Sequence, residues 1–409
     1  MSDAQAAMQQ SFMHMAQLGQ LAYGSDPERA AAHTSACPHQ MYAALHAEGP
    51  VRHLGDGYYS LLTMEDIQFV TRHHAVEQGS KYLGSDRPAI PLGLDGPIHT
   101  QYRRLIDPIF TARKVAPLAD SVRGLANELI DGFFDDGTAN AYDQWCEPLP
   151  STIFLAIMGL PMGDRDDFLR FKNLTLTGGA PDITDEQRFA NRMEAVTWIH
   201  GYFNASLDER EQEPEARDDI IGHLLTAEVD GHRLTRQDVL DILGLFMIAG
   251  LDTVAASLAC FLSFFARNPD QRALILDDRT RLRPAVEELM RFESPVTEGF
   301  RVATEDITLP SGTTVPAGSW MHISWAAANL DPAVFPDPLT PDLGREPNPH
   351  IGFASGYHRC LGSHLARMEM VTALDVWHDR IPHYRVEGDQ PLVYSGNPRA
   401  PHSLPLTWR

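Results

Sequence analysis

Phe353-Ala-Ser-Gly-Tyr-His-Arg-Cys360-Leu-Gly362 sets one cysteine in a turn between a proline-rich loop, 331–352, and a run that reads as a helix, 361–377. Gly356 permits a tight turn and Gly362 a close backbone approach, since neither carries a Cβ. A cysteine opening a helix meets free N–H groups and the positive end of the dipole, and both favour the thiolate. A thiolate is a nucleophile or a metal ligand. The bland alternative is an inert core thiol, the usual fate of a free cysteine. His358, Cys360 and His364 also permit a zinc reading, though without a Cys-x-x-Cys pair or a His-Glu-x-x-His helix.

Working outward, 409 residues are ample for a core that encloses a large cofactor. The apolar fraction of 43% and charged fraction of 22% are those of an ordinary globular protein. A net charge of −22 argues against nucleic acid and anionic membranes as partners. Cys37, Cys146, Cys260 and Cys360 are too widely spaced for a disulfide framework. The first basic residue is Arg29, so a signal peptide's charged start is missing. A monomeric protein of the reducing cytoplasm is expected. Val239 to Ala266 is the most apolar stretch, but Asp241 and Asp252 interrupt it, so it reads as a buried core helix.

The rest of the chain supplies helices and a few strands. Val51–Leu54 and Tyr58–Leu62 read as strands across Gly55-Asp56-Gly57, and 64–74 as a helix. Gly79 to Pro97, with apolar Leu83, Ile90, Leu92 and Leu94, is long and irregular, as lids and binding loops are. Residues 113–210 are mostly helical, 296–325 strands with turns, and 381–409 short strands and turns. A loose helical pattern runs through Phe12, Met13, Met15, Ala16, Leu18 and Leu21.

Three further segments carry chemistry. In Ile98-His-Thr-Gln-Tyr-Arg-Arg104, His99 and Arg103 share one helix face, which suits a solvated basic face or an anion. In Ala249-Gly-Leu-Asp-Thr253, the Thr253 hydroxyl can bond the carbonyl of Ala249, and Asp252 in so apolar a helix must be paired or functional. Glu288 and Arg291 are spaced to pair on a third helix.

Together these segments resemble the cytochrome P-450 family. Phe353, Gly356, His358, Cys360 and Gly362 match its haem-binding signature, a match expected by chance in roughly one chain in ten thousand. Ala354 departs from it, since many members carry a second glycine there. Ala249–Thr253 resembles the oxygen-groove sequence, His99 and Arg103 the helix that holds haem propionates, and Glu288–Arg291 the structural ion pair. The Arg that usually completes that pair has Thr340 in its place.

The resemblance implies a mainly α fold, a triangular prism with a small β lobe near the N-terminus and a long central helix over haem b. Residues 35–409 would form this single domain and 1–34 an extension. Cys360 would be the proximal iron ligand. His99, Arg103, Arg301 and His358 would bind propionates, Ala249, Phe353 and Gly362 would adjoin the cofactor, and Asp252 and Thr253 would serve catalysis. The implied activity is a monooxygenase using O2 and electrons from a ferredoxin and its reductase. The donor would meet a basic patch of Arg104, Arg113, Lys114, Arg359 and Arg367. Leu92, Leu94, Leu245, Ile248, Ala249, Val296 and Thr297 would line a pocket for a bulky apolar substrate such as a terpenoid, steroid or aromatic compound. The same fold could also be run by peroxide, catalyse a non-hydroxylating oxidation, or sense a ligand without turnover.

Overall fold

Thr235 starts the element around which the rest packs. Its hydroxyl accepts from the Asp238 N–H at 3.1 Å, and the Asp238 carboxylate accepts from the Thr235 N–H at 3.1 Å. This reciprocal cap satisfies N–H groups that the first turn leaves open, and the helix Arg236–Gly250 follows. A second helix, Thr253–Arg267, continues it after a break at Leu251 and Asp252. The sequence predicts one helix with a local opening at Thr253. The interruption is complete, because the Thr253 hydroxyl takes the Ala249 carbonyl at 3.1 Å.

The span Arg236–Arg267 is long and apolar enough to cross a membrane, but 72% of its most apolar window is buried inside the fold. It is a core helix.

This computed structural model describes residues 13–15, 17–24, 26–80, 87–179, 183–212, 217–388 and 391–409. Phe12, Ala16 and Leu83 lie outside the described residues. With the first helix of the central pair, Pro148–Met158, Arg165–Thr177 and Asp185–Arg210 build an apolar cluster around Phe168, Phe203 and Phe246. With the second, Ala119–Asp131, Leu282–Phe292 and Ser363–Arg380 build another around Trp145, Phe261 and Trp377.

A five-stranded sheet forms the β lobe, in the order Val51–Gly55, Tyr58–Leu61, Trp320–Ser324, Glu298–Ala303, Val76–Gln78. Only the Tyr58–Leu61 and Trp320–Ser324 pair is parallel. The lobe thus draws two strands from residues 298–324, rather than resting on the N-terminal part alone. Its register sets Gln78 opposite Arg301, which fixes where that guanidinium lies. Leu18, Ala22 and Tyr23 are buried, and the Tyr23 hydroxyl meets Ser324 Oγ at 2.9 Å.

Candidate active site

The cysteine loop is held by backbone constraints first. Gly356 has φ +71°, and a Cβ there would stand 2.0 Å from the Thr71 carbonyl oxygen, so only glycine fits. Ala354 also takes a left-handed conformation, φ +57°, where the absent second glycine would have been unstrained. The Cys360 N–H donates to the Phe353 carbonyl at 2.9 Å and closes the loop. The Phe353 ring does not line the cavity. It packs in the core with the Arg367 guanidinium 4.2 Å from its centre. Arg367 is fixed in turn by Glu287 at 2.6 and 2.8 Å, and His350 meets the same carboxylate at 2.9 Å. Burial pushes the Glu287 carboxyl up, but His350 and Arg367 outweigh it and hold it at about 2.

Cys360 does not open the helix as the sequence suggested. The helix begins at Ser363, and Cys360 sits in the turn before it. Protein surrounds the thiol except where it opens on a cavity of about 210 Å³. Burial pushes the thiol up, while the Gly362 N–H, Arg103, Arg367 and Arg359 favour the thiolate.

The same cavity is lined by Ala249, Gly250 and Thr253 of the central pair and by His99, Arg103, His358 and Gly362. Its apolar wall is Leu92, Phe110, Phe154, Leu245, Phe246 and Val254. Of the expected pocket residues, Leu92, Leu245 and Ala249 line it. Leu94 and Ile248 pack instead against the adjoining apolar cluster, and Val296 against the core beside the sheet. Thr297 is fully buried, with its N–H bonded to Asn397. Gly250 does not leave open space, because a Cβ there would come 2.6 Å from the Phe154 ring. Sequence reading missed Phe110, Phe154, Phe246 and Val254, since a buried aromatic gives no sign of the wall it faces.

The expected rim residues gather around Asp95. The rings of His99 and His358 lie 4.2 Å apart. His358 Nε2 meets Asp95 Oδ1 at 3.0 Å, and Asp95 also accepts the Gln78 N–H at 3.0 Å. Burial, with His358 and Arg103 adding to it, pushes His99 down to about 4. His99 Nε2 is buried and has no hydrogen bond among the described residues. Arg103 donates to Asp107 at 2.7 Å and to the Arg359 carbonyl at 2.9 Å. Arg301 lies behind them rather than on the cavity wall. Its Nη1 donates to the Gln78 side chain and, at 2.8 Å, to the Phe300 carbonyl, and burial lowers it to about 10.

Asp252 has a partner that the sequence did not suggest. Lys172, from the Arg165–Thr177 helix, places Nζ 3.0 Å from Asp252 Oδ1 and 2.6 Å from Glu147 Oε1. Burial pulls the ammonium down, but the two carboxylates outweigh it and hold Lys172 above the ordinary lysine value.

Glu288 and Arg291 pair at 2.8 and 2.9 Å, both fully buried. Arg345 completes the network at 3.1 and 3.2 Å from Glu288, while its Nη2 takes the carbonyl of Thr340, the residue that stands where an Arg was expected. The third cation is thus present, displaced five places along the chain. Among the described residues, no group of three or more His, Cys, Asp or Glu could hold a metal ion, which leaves the zinc reading without a ligand set.

The profile of the family described as Cytochrome P450 matches residues 181–376. The vitamin D(3) 25-hydroxylase of Pseudonocardia autotrophica is 32% identical over 375 residues, covering 87% of this chain and 90% of that protein. The mycinamicin IV hydroxylase/epoxidase of Micromonospora griseorubida is 34% identical over 324 residues, covering 78% and 79%. Among solved structures, a myxobacterial cytochrome P450 in complex with myristic acid superposes with a TM-score of 0.81. It is 30% identical and covers 92% of this chain and 97% of its own. Shared descent over most of the sequence, with the same fold, decides the matter: the chain belongs to the cytochrome P450 family, the haem-thiolate monooxygenases, and its cofactor is haem b.

Proposed function

We propose that Cys360 is the proximal ligand of haem iron and that the cavity beside it oxidises a bulky apolar molecule such as a terpenoid, steroid or aromatic compound. The residues fit the cofactor. A Cβ on Gly362 would meet no protein atom within 4 Å, so a flat group can approach the backbone beside Cys360. The buried Nε2 of His99, without a hydrogen bond among the described residues, suits a carboxylate at the rim, with Arg103 and His358 beside it and buried Arg301 adding positive charge from behind. When bound, thiolate-ligated haem supplies O2 activation and transfer of one oxygen atom to substrate.

The chain's own residues position and protonate. Thr253 presents its hydroxyl at the cavity while bonded to the Ala249 carbonyl. Letting go of that carbonyl frees the hydroxyl to donate into the cavity. Asp252, beside it, is kept in place by Lys172 and is suited to passing protons to that hydroxyl. Phe110 and Phe246 meet edge to face with ring centres 5.6 Å apart and give this side of the cavity an apolar wall.

The observation that carries the substrate class is that wall, which is apolar apart from Thr253 on the central-helix side. The relatives' named substrates, vitamin D(3) and mycinamicin IV, and the bound myristic acid are all large and substantially apolar, in keeping with it. Screening terpenoids, steroids, aromatics and polar acids for the spin-state change on binding tests the reading. Apolar compounds should give the change, and a response confined to polar acids would overturn the reading.

Electrons are proposed to come from an acidic ferredoxin and its reductase. Arg104, Arg113 and Lys114 are exposed, and the short Ala112–Val115 helix packs against Ser363–Arg380 behind the cysteine. On an acidic chain these cations suit an acidic partner. Arg367 is withdrawn from the patch by Glu287. Reversing the charges of Arg113 and Lys114 should flatten the salt dependence of reduction, and an unchanged dependence would exclude the patch.

A further inference from the structure

Glu369 is a buried acid that the chemistry above does not use. It lies on the Ser363–Arg380 helix, nine residues beyond Cys360, and lines the same cavity beside Leu365, Ala366 and Val254. It is 3% exposed, and its Oε1 has no hydrogen bond among the described residues. The charged groups on the neighbouring elements are engaged elsewhere. On its own helix, Arg367 is held by Glu287, Asp375 by Arg123 and Arg380 by Asp131. On Leu282–Phe292, Glu288 pairs with Arg291, and on Thr253–Arg267, Arg267 donates to Cys37. Arg113 and Lys114 are exposed. On the other cavity walls stand His99, Arg103, His358, Arg359 and Cys360, and none pairs with Glu369. An unpaired carboxyl in such a place favours its neutral form, and burial pushes Glu369 up to about 8.

We propose that Glu369 makes reduction of the bound haem depend on pH, easing it when the carboxyl is protonated and opposing it when the carboxyl is ionised. The inference rests on the reading of Cys360 as iron ligand. Reduction adds one electron from the donor to ferric iron and gives ferrous iron, which adds negative charge to a weakly screened interior. A carboxylate on the same cavity wall raises the cost of that charge. Where Glu369 starts ionised, one proton from solvent converts it to the carboxylic acid as the electron arrives, so charge is balanced by one proton per electron.

The experiment is spectroelectrochemical titration of the haem-loaded protein between pH 6 and 10, for the wild type and Glu369→Gln. The wild-type midpoint should fall as pH rises above about 8, with a limiting slope of about 59 mV per pH unit for one proton per electron. Glu369→Gln should keep the low-pH value and lose that fall. Identical pH dependence in the two proteins overturns the proposal. Infrared difference spectra of the wild type alone provide a second reading. At pH 8.5, reduction should bring up a protonated-carboxyl band that shifts in heavy water, and its absence counts equally against the idea. The reduced, carbon monoxide-bound spectrum, recorded first, separates the two failures. Without a thiolate band the ligation of Cys360 falls, and this inference with it. With the band present and no difference between the proteins, only the role of Glu369 falls.

Discussion

Lys172 and Asp252 meet at 3.0 Å where the central helix breaks, and the ammonium is only 2% exposed. The same lysine neutralises Glu147 at 2.6 Å. Removing it leaves two carboxylates facing each other with little solvent. Lys172→Met is therefore expected to cost about 3–5 kcal/mol. Urea unfolding at pH 7 measures this, and adding Glu147→Gln to the variant should recover part of the loss. A wild-type midpoint for Lys172→Met would mean that the three groups are not coupled.

Thr253 is expected to matter for how electrons are used rather than for the fold. Thr253→Ala loses the bond to Ala249 but leaves the apolar packing of the helix. Electrons should be diverted to hydrogen peroxide, with less product per electron, while Thr253→Ser keeps most of the coupling. Measuring donor consumed, peroxide and product together decides it. Unchanged coupling in the alanine variant would remove Thr253 from the proton path.

The two left-handed positions of the cysteine loop should respond in opposite ways. Gly356→Ala drives a methyl group against a backbone oxygen that cannot move aside, so a loss of about 3 kcal/mol or more, with poor haem retention, is expected. Ala354→Gly removes a backbone penalty of about 1 kcal/mol and gains chain entropy when unfolded, so it should be near neutral or slightly stabilising. Thermal melts of both variants check the contrast. A Gly356→Ala melt equal to the wild type's would rule out the contact with Thr71.

Glu369 also leaves a mark on stability. An unfolded glutamate ionises near 4.3, whereas the folded side chain holds its proton up to about 8. The folded state thus binds the extra proton, and stability from this group declines as pH rises through that window. Glu369→Gln should gain on the wild type by up to about 3 kcal/mol between pH 5 and pH 7. Paired denaturation curves at the two pH values test this, and a constant difference would mean that the carboxyl is hydrated.

Much of the site can be read along the chain because its parts are local. The signature residues of the cysteine loop, of the His99–Arg103 face and of the Ala249–Thr253 opening each fall within ten residues or fewer of one another. What stays hidden depends on distance in sequence. Lys172 lies 80 residues from Asp252, and nothing in its own helix distinguishes it from a solvated lysine. Arg345 replaces a cation at a different position by reaching the same carboxylate from the next turn of loop. Phe154 fills the notch that Gly250 leaves, so this glycine is required by a ring that arrives from another helix. Glu369 reads as one charge on a mixed helix until its surroundings are known. Val76–Gln78 is too short for any periodicity, and it forms because Glu298–Ala303 offers an edge.

The absorption spectrum of the reduced, carbon monoxide-bound protein tests the ligation of iron by Cys360 most directly. The intact protein should show the red-shifted band of thiolate-ligated haem, and Cys360→Ser should lose it while still folding. A wild type that binds haem without that band, or a Cys360→Ser variant that keeps it, would contradict the assignment.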